Sequence, residues 1–207
     1  MEDDRTKWDR RYGATGFFIG PHPSQYLVDN IVLIKSLVPG GKALDLACGE
    51  GRNSIFLARH GFAVTGLDIS SEGLAKADRW AAEEGLAVTF RQTDLEGYEF
   101  SESWDLIVNF NFLLRDLVPK MVAALASAGV IVFDTILDVP SLIGHHNKAF
   151  LLQPGELAAL FAPFPGEIIQ MTECPEGPTP TAKLIYRHPA DSSPKGKGPL
   201  HDEPCAK

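Results

Sequence analysis

Apolar positions along this chain switch repeatedly between two spacings, and the switching predicts its fold class. Between Ser24 and Leu37, Leu27, Ile31, Ile34 and Leu37 recur at helical spacing, and VPGG ends the helix. The short apolar run KALDLA then reads as a buried strand. GRNSIFLARHG is helical up to Gly61, AVTGLDI is a second strand, and SSEGLAKADRWAAEEG is a helix capped by Ser70 or Ser71. AVTFRQT predicts a third strand and, after a loop over DLEGYEFSES, WDLIVNF a fourth. A helix over LVPKMVAALASAG leads to the strand VIVFDTIL, and an irregular stretch holds His145 and His146. QPGELAALFAPF reads as another helix, and EIIQMTEC with TAKLIYR as an antiparallel pair around PEGPTP. This alternation predicts an α/β fold, a doubly wound and mainly parallel sheet with its ligand at the carboxyl ends of the strands.

The two ends depart from the pattern. WDRRYGATGFFIGPHPSQYL is aromatic and punctuated by Gly and Pro, so it predicts an ordered loop or short helix rather than a strand. After His188, PADSSPKGKGPLHDEPCAK has almost no large apolar residue, which predicts a disordered tail over 189–207. The remaining 1–188 is expected to form one domain, since a chain of 207 residues with 44% hydrophobic content can bury one good core.

Charge narrows the partners. A formal net charge of −8 argues against broad nucleic-acid binding and against anionic membranes. No apolar run approaches the roughly 20 residues of a membrane span, and MEDDRTKWDRR lacks a hydrophobic signal core. Cys48, Cys174 and Cys205 are odd in number and scattered, with neither a disulfide framework nor metal-ligand spacing. The expectation is a cytoplasmic protein without a metal, monomeric or homodimeric.

The chemistry concentrates in GGKALDLACGEGRNSIFLARHGFAVTGLDIS. Glycines after a first strand let a backbone and a helix N-terminus approach a cofactor. Asp68 ends the second strand, where a carboxylate accepts hydrogen bonds from ribose hydroxyls. Asp45, inside the first strand, would repel a pyrophosphate, and ACGEGRN does not supply GxGxxG. S-adenosylmethionine has no phosphate and carries an ammonium and a sulfonium, which an acid favours.

On these residues, ALDLACGEGRN resembles the cofactor motif of class I S-adenosylmethionine-dependent methyltransferases. From Trp8 to about Arg187 the chain is similar to the small, tellurite-resistance-type branch of that superfamily. The resemblance implies a Rossmann-like, seven-stranded sheet of order 3-2-1-4-5-7-6 with strand seven antiparallel, and residues 1–23 as a lid segment. It implies that Asp45, Gly49 and Gly51 border the methionine moiety, Asp68 holds the ribose and Ile69 lies against the adenine. Asp94 would receive the adenine amino group, with Leu95 as an apolar wall, and Asn109 would face the reacting sulfur. Ala47 stands where the family has its first motif glycine.

Several residues carry two readings. Asp45 either meets the cofactor or satisfies turn amides, and Gly51 either borders the ligand or permits tight strand–helix packing. Arg52 and Asn53 either bind the cofactor carboxylate or, for Asn53 especially, cap the helix. Trp8, Tyr12, Phe17 and Phe18 form either a cover over the sulfonium or a plain apolar anchor. Tyr12, His145, His146 and Arg115 are the candidates for acceptor-side work; the histidines otherwise are solvated, and Arg115 otherwise pairs near Asp116. No NPPY-type stretch follows the fourth strand, so a small-molecule acceptor is expected. Two other functions are kept in view: a catalytically silent S-adenosylmethionine-binding protein, and an NAD-dependent oxidoreductase.

Overall fold

The computed structural model describes residues 4–142, 147–177 and 179–191. The predicted tail beyond 191, and His145 with His146, lie outside the described residues. Helix α1 (Asp4–Tyr12) and an irregular strap precede α2 (Gln25–Leu37). Then follow β1 (Gly41–Leu46), α3 (Arg52–Arg59), β2 (Phe62–Asp68), α4 (Ser71–Glu83) and β3 (Val88–Gln92). The second half runs β4 (Trp104–Phe110), α5 (Leu117–Ala123), β5 (Leu125–Ile136), α6 (Glu156–Phe161), β6 (Glu167–Cys174) and β7 (Thr181–Arg187). A 3-10 turn, Lys148–Phe150, sits before α6.

The seven strands pair in the order β3-β2-β1-β4-β5-β7-β6. Neighbouring strands from β3 through β5 are parallel, and β7 runs antiparallel to both β5 and β6. This is the doubly wound sheet that the alternating pattern predicts, with the closing hairpin at one edge.

Side chains alternate across the sheet, so each strand feeds two cores. Leu44, Leu46, Ile107, Phe133 and Leu184 pack against α5 and α6 through Leu117, Met121, Leu157 and Phe161. Ala43, Val64, Val108, Val132 and Ile185 pack on the other face against Leu27, Ile34, Phe56 and Leu57 of α2 and α3. Each such fully buried aliphatic or aromatic side chain stabilises the fold by about 1.5–3 kcal/mol relative to an exposed one. Among the described residues, no helix is long and apolar enough to cross a membrane.

One predicted boundary is corrected. The helical spacing of Leu117, Met121 and Leu125 runs on to Gly129, but α5 stops at Ala123 and β5 begins at Leu125. Trp104 N–H donates to the Ala124 carbonyl and Trp104 pairs with Leu125 across a bulge, which extends the ladder into the predicted helix. Gly129 makes the passage: a Cβ there would lie 2.9 Å from the Ala126 oxygen and 3.0 Å from that of Trp104. Sheet pairing outweighs local helical spacing at this point.

Candidate functional site

The turn after β1 is built from left-handed backbone. Ala47 (φ 52°), Gly49 (φ 55°) and Gly51 (φ 84°) all occupy it, and Ala47 carries a Cβ through the strain that glycine avoids. Asp68 holds the turn from below: its Oδ2 accepts from Gly49 N–H at 2.7 Å and its Oδ1 from Ser70 N–H at 2.9 Å. Burial raises the pKa of this carboxyl, and the amide donors work against that rise. Helix α1 seats on the turn, because a Cβ on Gly49 would fall 2.7 Å from the Tyr12 hydroxyl.

A cavity of about 230 Å³ opens at the carboxyl edge of the sheet. Ala47, Cys48, Gly49, Glu50, Arg52 and Asn53 supply its floor from the turn and the start of α3. The ends of β2 and β3 add Asp68, Ile69, Thr93, Asp94, Leu95 and Glu96. The β4 side contributes Phe110, Asn111, Phe112 and Leu114, joined by Phe150. Asp4, Trp8, Tyr12, Ile19 and Gly20 form the roof.

Side chains of the floor strap the roof in place. Glu50 Oε2 accepts from Phe18 N–H at 2.7 Å, and its Oε1 pairs with Lys76 Nζ at 2.9 Å. Lys76 also donates to the carbonyls of Ala14 and Gly16. Arg52 reaches the His22 carbonyl at 3.2 Å, and Asn53 Oδ1 accepts from Ser24 N–H at 2.8 Å. At the far end, Asp9 Oδ1 accepts from the Ser70 hydroxyl at 2.6 Å, tying α1 to the cap of α4. Trp8 stacks on Tyr12 at 5.4 Å and Phe18 meets both rings edge-on, while Phe17 turns away to pack on Trp80 at 5.1 Å.

Of the residues singled out in the sequence, Tyr12, Ala47, Gly49, Asn53, Asp68, Ile69, Asp94 and Leu95 line this cavity. Asp45, Gly51 and Asn109 stand behind its wall. Strand parity explains two of them. Asp45 shares the face of Ala43, points toward α3 and accepts from the Ser54 hydroxyl at 2.6 Å. Complete burial pushes its carboxyl up to about 7. Asn109 shares the face of Ile107, and its Nδ2 donates to the Phe112 carbonyl at 2.7 Å, fixing the loop after β4. Gly51 serves packing, since a Cβ there would lie 2.7 Å from the Ala77 methyl.

Three further readings change. Asn53 does not cap α3; Gly51 occupies the cap position, and Asn53 is bound to Ser24. Arg115 pairs with Glu156, not near Asp116: Nη2 lies 3.0 Å from Glu156 Oε2, and its other donors reach the Ala149 and Leu151 carbonyls. Tyr12 is buried, and burial with Asp68 close by raises its phenol far above the ordinary value. His145 and His146 lie outside the described residues.

Sequence reasoning overlooked Glu50, although it sits between the two motif glycines, and Asn111, whose positive φ of 55° turns the chain after β4 into the cavity. Phe112, Leu114 and Phe150 were also missed. Apolar residues in loops give no signal until the chain folds them around a space.

Residues 43–129 match the family model described as "Methyltransferase domain". The ubiquinone biosynthesis O-methyltransferase of Actinobacillus pleuropneumoniae is 34% identical over 108 residues, covering 47% of this chain and 46% of the relative. A probable S-adenosyl-L-methionine-dependent methyltransferase, TehB, of Haemophilus influenzae is 31% identical over 96 residues, covering 45% of this chain and 34% of the relative. The match therefore spans less than half the length of these curated relatives. Among solved structures, Haemophilus influenzae TehB superposes with a TM-score of 0.67 at 19% identity, covering 90% of this chain and 67% of the other. The N-methyltransferase NodS of Bradyrhizobium japonicum, solved with S-adenosyl-L-homocysteine, gives 0.69 at 18% identity over 91% of this chain and all (100%) of its own. These neighbours share the fold.

Residues 43–129 thus match a methyltransferase domain, and they sit in a sheet whose fold the methyltransferase structures above share. Over that segment the sequence is similar to TehB, and the fold of the two is shared.

Proposed function

We propose that this chain transfers a methyl group from S-adenosylmethionine to a small-molecule acceptor by in-line displacement. The observation that carries the reading is the convergence of Gly49, Asp68 and Asp94, from three separate loops, on one cavity at the carboxyl edge of the sheet.

The donor set fits that cofactor. Asp68 accepts from the Gly49, Ser70 and Ile69 amides, and its two oxygens retain acceptor capacity for a ribose hydroxyl. Asp94 is exposed and spends one oxygen on Glu96 N–H, which leaves the other for an exocyclic amine. Ile69 and Leu95 offer apolar walls to a ring, and Arg52 offers its charge to an amino-acid carboxylate. Five carboxylates line the cavity against one arginine, which suits a cationic cofactor and disfavours a pyrophosphate. When bound, the cofactor supplies a methyl activated by its positive sulfur. The chain's own part is alignment and exclusion of water: the floor fixes one reactant, and the strapped roof of Trp8, Tyr12 and Ile19 closes over it. Similarity to an O-methyltransferase of ubiquinone biosynthesis supports a small molecule as the acceptor.

Calorimetry with S-adenosylmethionine, S-adenosylhomocysteine and NAD tests the cofactor. The two sulfur nucleosides are expected to bind and NAD to give no heat. Asp94→Ala is the sharper variant, because Asp94 is exposed and its hydrogen bond to Glu96 N–H lies within its own loop; it is expected to weaken S-adenosylhomocysteine about tenfold, roughly 1.4 kcal/mol, with an unchanged melting temperature. Undiminished affinity in that variant removes Asp94 from the site.

A further inference from the structure

Two buried acids, Asp45 and Asp134, stand on one face of the sheet behind the cavity rather than in its lining. Asp45 pairs in register with Val108 and Val108 with Val132, two residues before Asp134, so both carboxyls project toward α2 and α3. β4 lies between their strands, which sets the two acids apart by two strand spacings, roughly 10 Å. Arg52 opens α3 on that face and lines the cavity. Burial works against its charge, while Asp45 and then Asp134 support it. A guanidinium that answers to both carboxyls across that span lies between them.

The two acids are differently engaged. Asp45 accepts from the Ser54 hydroxyl at 2.6 Å. Asp134 is 8% exposed, and its Oδ1 has no hydrogen-bond partner among the described residues, which in a native interior calls for an explanation. Lys183 first, then Arg52 and the hydroxyls of Ser24 and Thr181, favour its charged form against burial. Lys183, its neighbour across the β5–β7 ladder, holds Nζ 5.5 Å from the centre of the Tyr26 ring, and the buried Tyr26 hydroxyl also feels Asp134. The end of the strap meets the same carboxyl. Arg52 donates to the His22 carbonyl at 3.2 Å, Asn53 accepts from Ser24 N–H at 2.8 Å, and the Ser24 hydroxyl, which does not cap α2, turns to Asp134.

Resting on the reading of Arg52 as the anchor of the cofactor's amino-acid carboxylate, we propose that Asp134 is a positioning residue for that anchor, acting on the cofactor through Arg52 from behind the cavity wall. A guanidinium is a planar fork of five donors. Steered by Asp134 from behind and tied to His22 at one nitrogen, it keeps paired N–H groups aimed into the cavity for a bidentate contact with a carboxylate. The alternative effect has the opposite sign: a fixed negative charge behind Arg52 repels a bound carboxylate, so its removal would tighten binding.

The probes are S-adenosylhomocysteine, which carries the amino-acid tail, and methylthioadenosine, which has the nucleoside and sulfur without it. In calorimetry, Asp134→Asn is expected to weaken S-adenosylhomocysteine at least about tenfold. Methylthioadenosine should stay within about twofold, which also shows that the variant is folded. In an Arg52→Gln background, Asp134→Asn is expected to move neither ligand. Ser24→Ala removes one hydroxyl beside Asp134 and keeps the N–H bond to Asn53; it should weaken S-adenosylhomocysteine about threefold, the net worth of one hydrogen bond, and leave methylthioadenosine unchanged. Equal losses for the two ligands would mean a structural role, tighter S-adenosylhomocysteine in Asp134→Asn plain repulsion, and a further loss in the Arg52→Gln background a route other than Arg52; each overturns the proposal. A parent chain that binds neither ligand overturns the cofactor reading itself, which separates the two failures.

Discussion

The two ends of the cavity are made from equivalent pieces of the fold, loops at the carboxyl ends of parallel strands, yet they carry opposite chemistry. After β2 and β3 the loops present carboxylates that also hold backbone: Asp68 binds Gly49 and Ser70, and Asp94 binds Glu96. After β4 the loop presents Phe112 and Leu114, held by Asn109 from behind. The polar end is thus organised by the groups that face the cavity. The apolar end is organised by a group that does not. Substitution should consequently damage structure and binding together at one end, and binding alone at the other.

The largest break in that comparison is expected from Asp68→Ala. It removes the acceptor for the Gly49, Ser70 and Ile69 amides, bonds each worth about 1.5–3 kcal/mol, and leaves the turn amides without a partner. Thermal unfolding should show a loss of about 3 kcal/mol in stability, and S-adenosylhomocysteine should bind more than about tenfold more weakly. A variant with the parent's melting temperature would show that the turn stands without Asp68.

A smaller effect is expected from Glu50→Gln, which tests whether the roof belongs to the polar end. Glutamine keeps an acceptor for Phe18 N–H and loses the charge that faces Lys76, a pair with side chains only 6% and 17% exposed. Breaking it should cost up to about 3 kcal/mol, concentrated in local opening of residues 13–24. Hydrogen exchange of the Phe18 amide should accelerate, with the β1 and β4 amides unchanged. Uniform acceleration across the sheet would mean that the roof and the core open as one unit.

The smallest effect concerns the buried acids behind each end. Asp45, behind the turn, is raised to about 7, and Asp134, behind the β4 end, to about 6, in both cases mainly by burial. A carboxyl whose folded pKa lies above its unfolded value binds its proton more tightly in the native state. Its contribution to stability is complete below about pH 4 and is lost as pH rises through 6 to 7. Chemical denaturation between pH 5 and 8 should show stability falling with pH on account of these two groups, and Asp45→Asn should flatten the upper part of that slope. An unaltered slope in the variant would place the titration elsewhere.

Much of the fold was legible because its signals are local. Helical spacing, period-two runs and glycine stops depend on residues within a turn or two of each other, and they located the elements in order. The α5–β5 junction was misread for the same reason: Leu125 continues a helical spacing, but it is claimed by Trp104, its partner across the β4–β5 ladder. The site was legible where a residue type at a strand end has one direction to face, as at Asp68 and Asp94. It was illegible where parity within the strand decides, as at Asp45 and Asn109, or where the partner is distant in the chain, as for Arg115 with Glu156, 41 residues away.

By itself, then, the amino-acid sequence determined the alternation of strands and helices, the glycine turn and the row of acids at the strand ends, since each follows from backbone sterics and short-range spacing. Only the tertiary structure decided that Asp45 lies behind the wall, that Glu50 and Lys76 strap the roof, and that Phe112, Leu114 and Phe150 line the same cavity as Asp68 and Asp94. Those outcomes depend on which segments the sheet order brings together across the chain, and no local pattern encodes that proximity.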